Sequence, residues 1–393
     1  MKKVVVVYPY DTGKSAFSGG VSKVAISNLI ALQEGGYQGY FLLPQGNSGL
    51  ISYVKETFSN IEVVPVDFEI LKLYVDTKGV GRYLNIFKSM YNFLVKKKNL
   101  KKALRNISPD IIHYHEVISF PFLGYCMGTK IVLHIHSYRF FSHKFLLPVM
   151  FHCINKYTTV LLSPTNSISK AAGKLTSKPI IRLDTPYLDL GMAEYTPSEY
   201  IKDFVQIKKD GKIIFAFIGR LCSIKRIDHF IKALSFLDES IKEKIAYCII
   251  GKPNTKGDEL YLSNMLCYIE ENKLSEYIHF YGYINPVEQI LDYVDVGVLL
   301  SESEAVSMVG IELMKYNIPI LGYEAPGICD FVIPEINGYL VSDGDIKELA
   351  KVIQNIVNDR SLITTLKPSI AQELKKYSLE SFVRNINSIY KRV

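Results

Sequence analysis

The stretch DVGVLLSESEAVSMVGIELMKY, Asp295 to Tyr316, changes periodicity halfway along. Its first part, Asp295 to Leu300, is a short apolar run bounded by polar residues, the pattern of a buried strand. SMVGIELMKY reads as a helix. Two carboxylates, Glu304 and Glu312, stand in this otherwise apolar or small company. On one unbroken helix they would lie roughly 80° apart, not on one stripe. With a strand-to-helix break, Glu304 falls in the loop and Glu312 inside the helix. In open parallel α/β sheets, ligands bind beyond the C-terminal ends of strands, where such loops lie. A plainer account exists: Ser301-x-x-Glu304 has capping-box spacing, and Glu312 can pair with Lys315 on a surface helix. Against it, Val306, Met308, Val309, Ile311, Leu313 and Met314 leave little polar surface, and a helix apolar nearly all round is buried. A buried glutamate needs a partner, which a ligand can be.

Working outward, the same alternation recurs. KVVVVY, IIHYH, KIVLHIH and TTVLLS are short apolar runs in the first half; KIIFAFIG, IAYCIIG, YIHFYG, VGVLL and IPILGY are their counterparts in the second. Helical patterns lie between, such as GVSKVAISNLIALQEGG, closed by Gly35-Gly36. This alternation argues for parallel sheets with crossover helices. The rhythm breaks between about Asp184 and Asp210, where two prolines and a glycine predict a linker. The expected class is α/β: two doubly wound Rossmann-like domains, residues 1–190 and 200–376, facing across a cleft.

Composition agrees. The chain has 393 residues, which at about 100–200 per domain suggests two domains. A net charge of +7 suits an anionic small molecule or membrane surface; no RNA-recognition, zinc-finger or helix-turn-helix signal accompanies it, so nucleic acid is not an expected partner. Cys126, Cys153, Cys222, Cys248, Cys267 and Cys329 form no C-x-x-C and read as reduced core cysteines. The apolar run in MKKVVVVYPYD meets Pro9 and Asp11 too soon for a signal peptide. No apolar run approaches the ~18 residues of a spanning helix. A cytoplasmic protein is expected, or one peripheral on the inner face of a membrane. For the latter, IFKSMYNFLVKKKNLKKALRN, residues 86–106, is a basic segment with Phe87, Tyr91, Phe93 and Leu94 among Lys88, Lys96, Lys97, Lys98, Lys101, Lys102 and Arg105. It reads as a helix lying on anionic lipid or as a solvated helix face. YRFFSHKFLLPVMFHCINKY, Tyr138 to Tyr157, reads as further aromatic contact with lipid or as a core helix.

Several motifs bear on chemistry. In FIGRLCSIKRIDHFIKAL, Phe217 to Leu234, a strand ends at Gly219, and Arg220 and Lys225 follow in the loop or first helical turn. Cations there, beside a helix N-terminus, make an anion site or are simply solvated. Gly19-Gly20 opens a helix after the first strand and lets backbone approach a ligand closely. DTGKS lacks the first glycine of a phosphate-binding P-loop, Tyr8 standing in its place. PDIIHYHE and KIVLHIHSYR each end a strand with H-x-H, putting His113 with His115 and His134 with His136 on common faces. Four histidines can make a zinc site, but no carboxylate or cysteine ligand pattern accompanies them. The reading adopted is one cleft histidine bonding a substrate, and no metal. Asp343-Gly-Asp345 directly precedes a helix, which favours N-capping over metal binding.

Taken together, these motifs resemble the retaining glycosyltransferases of family 4, the glycosyl transferases group 1, which have the two-domain GT-B architecture. Gly19-Gly20, PDIIHYH, VLHIH, GRLCSIK, Glu304-x7-Glu312 and PILGYEAPGICDFVIPEINGYLV occur in that family's order. The resemblance implies that Arg220 and Lys225 hold a donor diphosphate and that Glu312 binds ribose hydroxyls. Glu304 would contact sugar hydroxyls and favour developing positive charge, and His136 would touch the sugar. Gly19 and Gly20 would approach the phosphates or acceptor, and Gly327 the donor sugar and phosphate. Backbone near Tyr283 would face the base, and amides near Ser307, Met308 and Val309 the diphosphate. The last helix, 377–393, would cross back onto the N-terminal domain, which would be the acceptor side. The implied reaction moves a hexose from a UDP- or GDP-linked sugar, without metal or cofactor, to a glycan or lipid-linked acceptor of a bacterial surface polysaccharide.

The chain departs from the family at three places. Ala305-Val306-Ser307 replaces Gly-Phe-Gly, Pro326-Gly327 replaces Gly-Gly, and Pro186-Tyr187 stands near the usual Asn-Gly. The first alters the room around the sugar and the second leaves one fewer backbone amide. Two other classes stay open from sequence: a nucleotide-sugar epimerase or hydrolase on the same frame, and a non-catalytic sugar- or lipid-binding protein.

Overall fold

The computed structural model describes residues 1–11, 13, 20–70, 80–115, 128–142, 147–188, 199–304 and 306–393. The chain divides into two compact units, Met1–Leu188 with Tyr377–Val393, and Asp189–Lys376.

The first unit holds β1 (Lys3–Val7), β2 (Gln38–Pro44), β3 (Ile61–Val66), β4 (Ile111–Tyr114), β5 (Lys130–His134), β6 (Val160–Ser163) and β7 (Ile180–Arg182). They form a parallel sheet in the order β3-β2-β1-β4-β5-β6-β7. Val4 to Val7 are wholly buried, as expected of a strand with both faces covered by helices. The second unit holds β8 (Ile213–Ile218), β9 (Ile245–Ile250), β10 (Ile278–Gly282), β11 (Val296–Leu299), β12 (Ile320–Tyr323) and β13 (Gly338–Val341), in the order β10-β9-β8-β11-β12-β13. Both sheets run outward from a central strand and then restart on its other side. This is the doubly wound class that the alternation predicts, found in each unit.

Each unit has its own core. In the second, Phe230 stacks on Tyr247 with ring centroids 4.0 Å apart, and Phe215 lies 5.2 Å from Phe230. In the first, the terminal helix Leu379–Arg392 buries Phe382, Val383, Ile386, Ile389 and Tyr390, an i, i+4, i+7 stripe. Ser378 caps it by accepting the Ser381 amide at 3.1 Å. That stripe packs against helix Gly20–Glu34, and Tyr390 meets Tyr37 edge to face at 5.7 Å.

Two expectations need correction. The segment read as linker contains the helix Ile201–Lys209, whose Phe204 and Ile207 are buried; its lysine-rich exposed face hid the periodicity. Cys267 and Cys329, expected in the core, are exposed. Of the two readings left open for Tyr138–Tyr157, its buried Phe140, Met150, Phe151 and Ile154 support the core helix.

Candidate active site

In the second sheet the strand order reverses between β8 and β11, which are hydrogen-bonded neighbours. Loops leaving such a pair diverge to opposite faces and open a crevice at their C-terminal edge. The loop leaving β8 carries Arg220, Lys225 and Arg226; the loop leaving β11 carries Ser301, Glu302 and Glu304. The two loops are tied together by the Glu302 amide, which donates to the Ile224 carbonyl at 2.9 Å.

Lys225 Nζ lies 2.5 Å from Glu304 Oε1, and Ser301 Oγ donates to the same oxygen at 2.7 Å. The Glu304 side chain is 14% exposed and that of Lys225 26%, so the pair is largely withdrawn from water but open on one side. A third loop fixes the backbone: the Glu304 amide donates to the Pro326 carbonyl at 2.9 Å. Gly327 follows with φ +83°, and a Cβ there would come within 1.8 Å of the Glu304 carbonyl oxygen. Both the left-handed conformation and this approach require glycine.

Ser301 and Glu304 therefore do interact, but not as a capping box. The helix starts at Met308, and its N-cap is Ser307, whose hydroxyl accepts the Gly310 amide at 3.0 Å. Met308 and Val309 occupy the first turn, where amides lack intrahelical partners. Glu312 is half-buried on this helix. Ala305 lies outside the described residues, as does Gly19; Gly20 is the first residue of helix Gly20–Glu34.

Arg220 takes a different direction from Lys225. Its Nε approaches Asp258 Oδ2, a largely buried carboxylate, at 3.9 Å. The next cation, Arg226, was not singled out from sequence. It adopts the left-handed conformation (φ 49°, ψ 40°) between the turn Ser223–Lys225 and helix Ile227–Leu234. It pairs with Asp343 at 2.5 Å and lies over the Tyr323 ring. Asp345, as expected, is an N-cap, accepting the Glu348 amide at 2.9 Å. Tyr283 is 67% exposed just after β10, with Lys252 Nζ 5.6 Å from its ring centroid.

In the first unit, β4 and β5 pair with His113 opposite Val132 and Tyr114 opposite Leu133. The four H-x-H rings consequently stack: His113 on His115 at 4.5 Å, His115 on His136 at 5.0 Å and His134 on His136 at 4.1 Å. His113, His115 and His134 are buried and His136 half-buried. Burial and the neighbouring rings hold His113, His115 and His134 far below the usual histidine range; burial pushes His136 down to about 3. All four rings are neutral at pH 7.

His113, His115 and His134 each bring a ring nitrogen within 4.8 Å of the others. That arrangement does not fit zinc. Nitrogens that share one ion sit about 2.1 Å from it with their lone pairs converging on it. Stacked rings, only 14° between the planes of His113 and His115, aim their lone pairs side by side. Both nitrogens of His115 are also already engaged, with Asn28 and His136.

Comparison with known proteins bears on the second unit most directly. Residues 199–377 match the family model of the glycosyl transferases group 1. The 2-deoxystreptamine glucosyltransferase of Streptomyces kanamyceticus is 22% identical over 44% of this chain and 44% of its own length. The capsular polysaccharide biosynthesis glycosyltransferase CapM of Staphylococcus aureus is 24% identical over 45% of each. The match spans under half the length of each of these relatives. Among solved structures, Anabaena Alr3699/HepE in complex with UDP superposes with a TM-score of 0.74 over 100% of both chains at 15% identity. The lipopolysaccharide outer core galactosyltransferase WaaB does so with a TM-score of 0.71 over 100% of both at 18%. At these identities the superpositions establish the fold, that of GT-B glycosyltransferases.

Proposed function

We propose that this chain, whose residues 199–377 match the family model of the glycosyl transferases group 1, is a member of that family and moves a hexose from a nucleotide sugar to a glycan or lipid-linked acceptor with retention. The carrying observation is the Lys225–Glu304 pair at the strand reversal, with Arg220 in the same loop. Glycosyl transfer expels a diphosphate from an electron-poor sugar carbon. A cation at the leaving group and a carboxylate beside the sugar each stabilise charge that grows only in the transition state. Lys225 and Arg220 supply the positive charge without a metal, helped by the first-turn amides of Met308 and Val309 behind Ser307. Glu304 faces the sugar, with Gly327 giving close backbone approach, and Glu312 takes the ribose hydroxyls. Tyr283 lies by the base, which we read as uracil or guanine. Gly19 and Gly20 approach phosphate or acceptor, and His136 donates a hydrogen bond to a bound sugar.

The acceptor is read as a bacterial surface polysaccharide or its lipid-linked precursor, in keeping with the printed activity of CapM. Helix Val80–Ile107 supports a membrane-borne acceptor. Phe93, Leu100 and Leu104 are buried, while Phe87, Met90, Tyr91, Leu94 and Val95 form an exposed i, i+3, i+4, i+7, i+8 stripe. Exposed Lys98, Lys102 and Arg105 continue that stripe towards the helix end. Lys96 does not contribute, being paired with Asp67 and Glu69. No helix among the described residues is long and apolar enough to cross a membrane. The helix is thus proposed to lie on anionic lipid at the inner face, with the protein cytoplasmic.

The test is a panel of UDP- and GDP-hexoses in a thermal-stabilisation assay. A donor at about 100 times its dissociation constant adds about 2.7 kcal/mol of stability. Absence of stabilisation by any nucleotide or nucleotide sugar overturns the reading. Turnover to free sugar or epimer without an acceptor replaces transfer with hydrolysis or epimerisation.

A further inference from the structure

Asn28 is a lone amide on the buried face of helix Gly20–Glu34, among Val24, Ala25, Leu29 and Leu32. Its Nδ2 lies 3.1 Å from the Val24 carbonyl and 3.0 Å from His115 Nε2. A backbone carbonyl only accepts, so the atom facing it is the amide nitrogen. The reversed amide would set two acceptors against each other. The second hydrogen of Nδ2 then points at His115 Nε2, which must be bare. His115 is buried among other imidazoles and is neutral, so its one proton is on Nδ1. That nitrogen lies 2.9 Å from His136 Nε2 and donates to it. His136 Nε2 must also be bare, and a neutral ring then carries its proton on Nδ1.

We propose that Asn28 and His115 are positioning residues, a two-step relay that holds His136 as its Nδ1–H tautomer. The Val24 carbonyl sets the direction, the amide passes it to His115, and His115 passes it to His136. The relay decides what His136 can do. Its Nε2 lone pair is occupied, and its Nδ1 already holds a proton. Neither nitrogen is available to deprotonate an acceptor hydroxyl. The ring is a hydrogen-bond donor through Nδ1, suited to an oxygen lone pair of a sugar or acyl group. The use of that donor rests on the glycosyltransferase reading; the tautomer does not.

Nitrogen NMR of the full-length, ligand-free protein, labelled with 15N-histidine, tests this separately from any activity. In free solution the Nε2–H form predominates, so Nδ1–H is diagnostic. The expected result is His136 with a protonated Nδ1 and a bare Nε2, and a through-hydrogen-bond coupling between His115 Nδ1 and His136 Nε2. A protonated Nε2 on His136, or no coupling, overturns the proposal. In Asn28→Ala, His115 loses the donor that fixes it, and His136 should appear as a mixture of both tautomers. A folded Asn28→Ala protein with His136 still wholly Nδ1–H would remove Asn28 from the relay; if that variant does not fold, the wild-type coupling decides. Should the protein prove inactive towards sugars while showing these signals, only the assignment of function falls.

Discussion

Lys225 Nζ sits 2.5 Å from Glu304 Oε1, and the two residues come from loops leaving the adjacent strands β8 and β11. A cation and an acid held this way have separable tasks under the proposed reaction. Lys225→Ala removes a charge-assisted hydrogen bond to the diphosphate, worth about 1.5–3 kcal/mol, so UDP or GDP should bind roughly ten- to a hundredfold more weakly. Glu304→Gln keeps the shape and removes the charge. It should lower transfer by about 10²–10³-fold, the loss seen when one preorganised electrostatic group is removed, while leaving nucleotide binding nearly intact. Calorimetric titration with the free nucleotide, beside a transfer assay, separates the two. Equal loss of binding in both variants would place Glu304 at the diphosphate as well.

Gly327→Ala should be disruptive although it adds one methyl group. The position has φ +83°, and the new Cβ would lie 1.8 Å from the Glu304 carbonyl oxygen. A non-glycine residue in a sparsely populated region costs about 1–3 kcal/mol, and relieving the overlap must also move the Glu304 backbone. Urea denaturation should show at least that loss. Gly344→Ala, also at positive φ (+79°) but with nothing within 4 Å of a Cβ, isolates the conformational part. Equal losses in both would mean the contact with Glu304 relaxes freely.

What was legible in the sequence follows from burial. Most central strands, such as IAYCII at Ile245–Ile250, are buried at every position and read as apolar runs; β2, QGYFLLP, was passed over although six of its seven residues are buried. Strand β3, IEVVPV, was not read: it lies at the sheet edge, exposes Glu62 and Pro65, and a proline argues against a central strand. The short edge strands β7 and β13 were hidden likewise. In the site, Glu304 stood out because acids are rare in apolar company. The role of Ser301 was not legible, because S-x-x-E spacing does not reveal whether the serine meets a backbone amide or the carboxylate itself. Arg226 is legible only through its left-handed backbone, and Asn28 only through the long-range contact with His115. The one local hint of Asn28 was a single amide on an otherwise apolar helix face.

The exposed stripe on helix Val80–Ile107 makes a membrane prediction. Replacing Phe87 and Tyr91, 62% and 69% exposed, by serine should leave thermal stability almost unchanged, because neither side chain has much burial to lose. Co-sedimentation with vesicles containing anionic lipid should fall, since binding scales with inserted apolar area. Raised salt should weaken the wild type further by screening the lysines. Retention of full vesicle binding in Phe87→Ser/Tyr91→Ser would clear this helix of any part in it.

The histidine stack predicts an acid-sensitive first unit. In the folded chain burial pushes His136 down to about 3 and holds His113, His115 and His134 well below the ordinary 6.5. In the unfolded chain each titrates near 6.5. Below that value the unfolded state therefore binds more protons, and stability falls as pH falls, by about 1.4 kcal/mol per pH unit for each ring until its folded value is reached. Carboxylates are almost fully ionised between pH 7.5 and 5.5, so histidines dominate that window. Hydrogen exchange at the β4 and β5 amides should accelerate across it. His134 has both ring nitrogens buried without a hydrogen-bond partner among the described residues, so His134→Phe removes an orphaned polar group as well as one titrating ring. That variant should gain about 1 kcal/mol at pH 7 and show a pH slope shallower by one proton. An unchanged slope would mean that His134 is protonated within the folded stack.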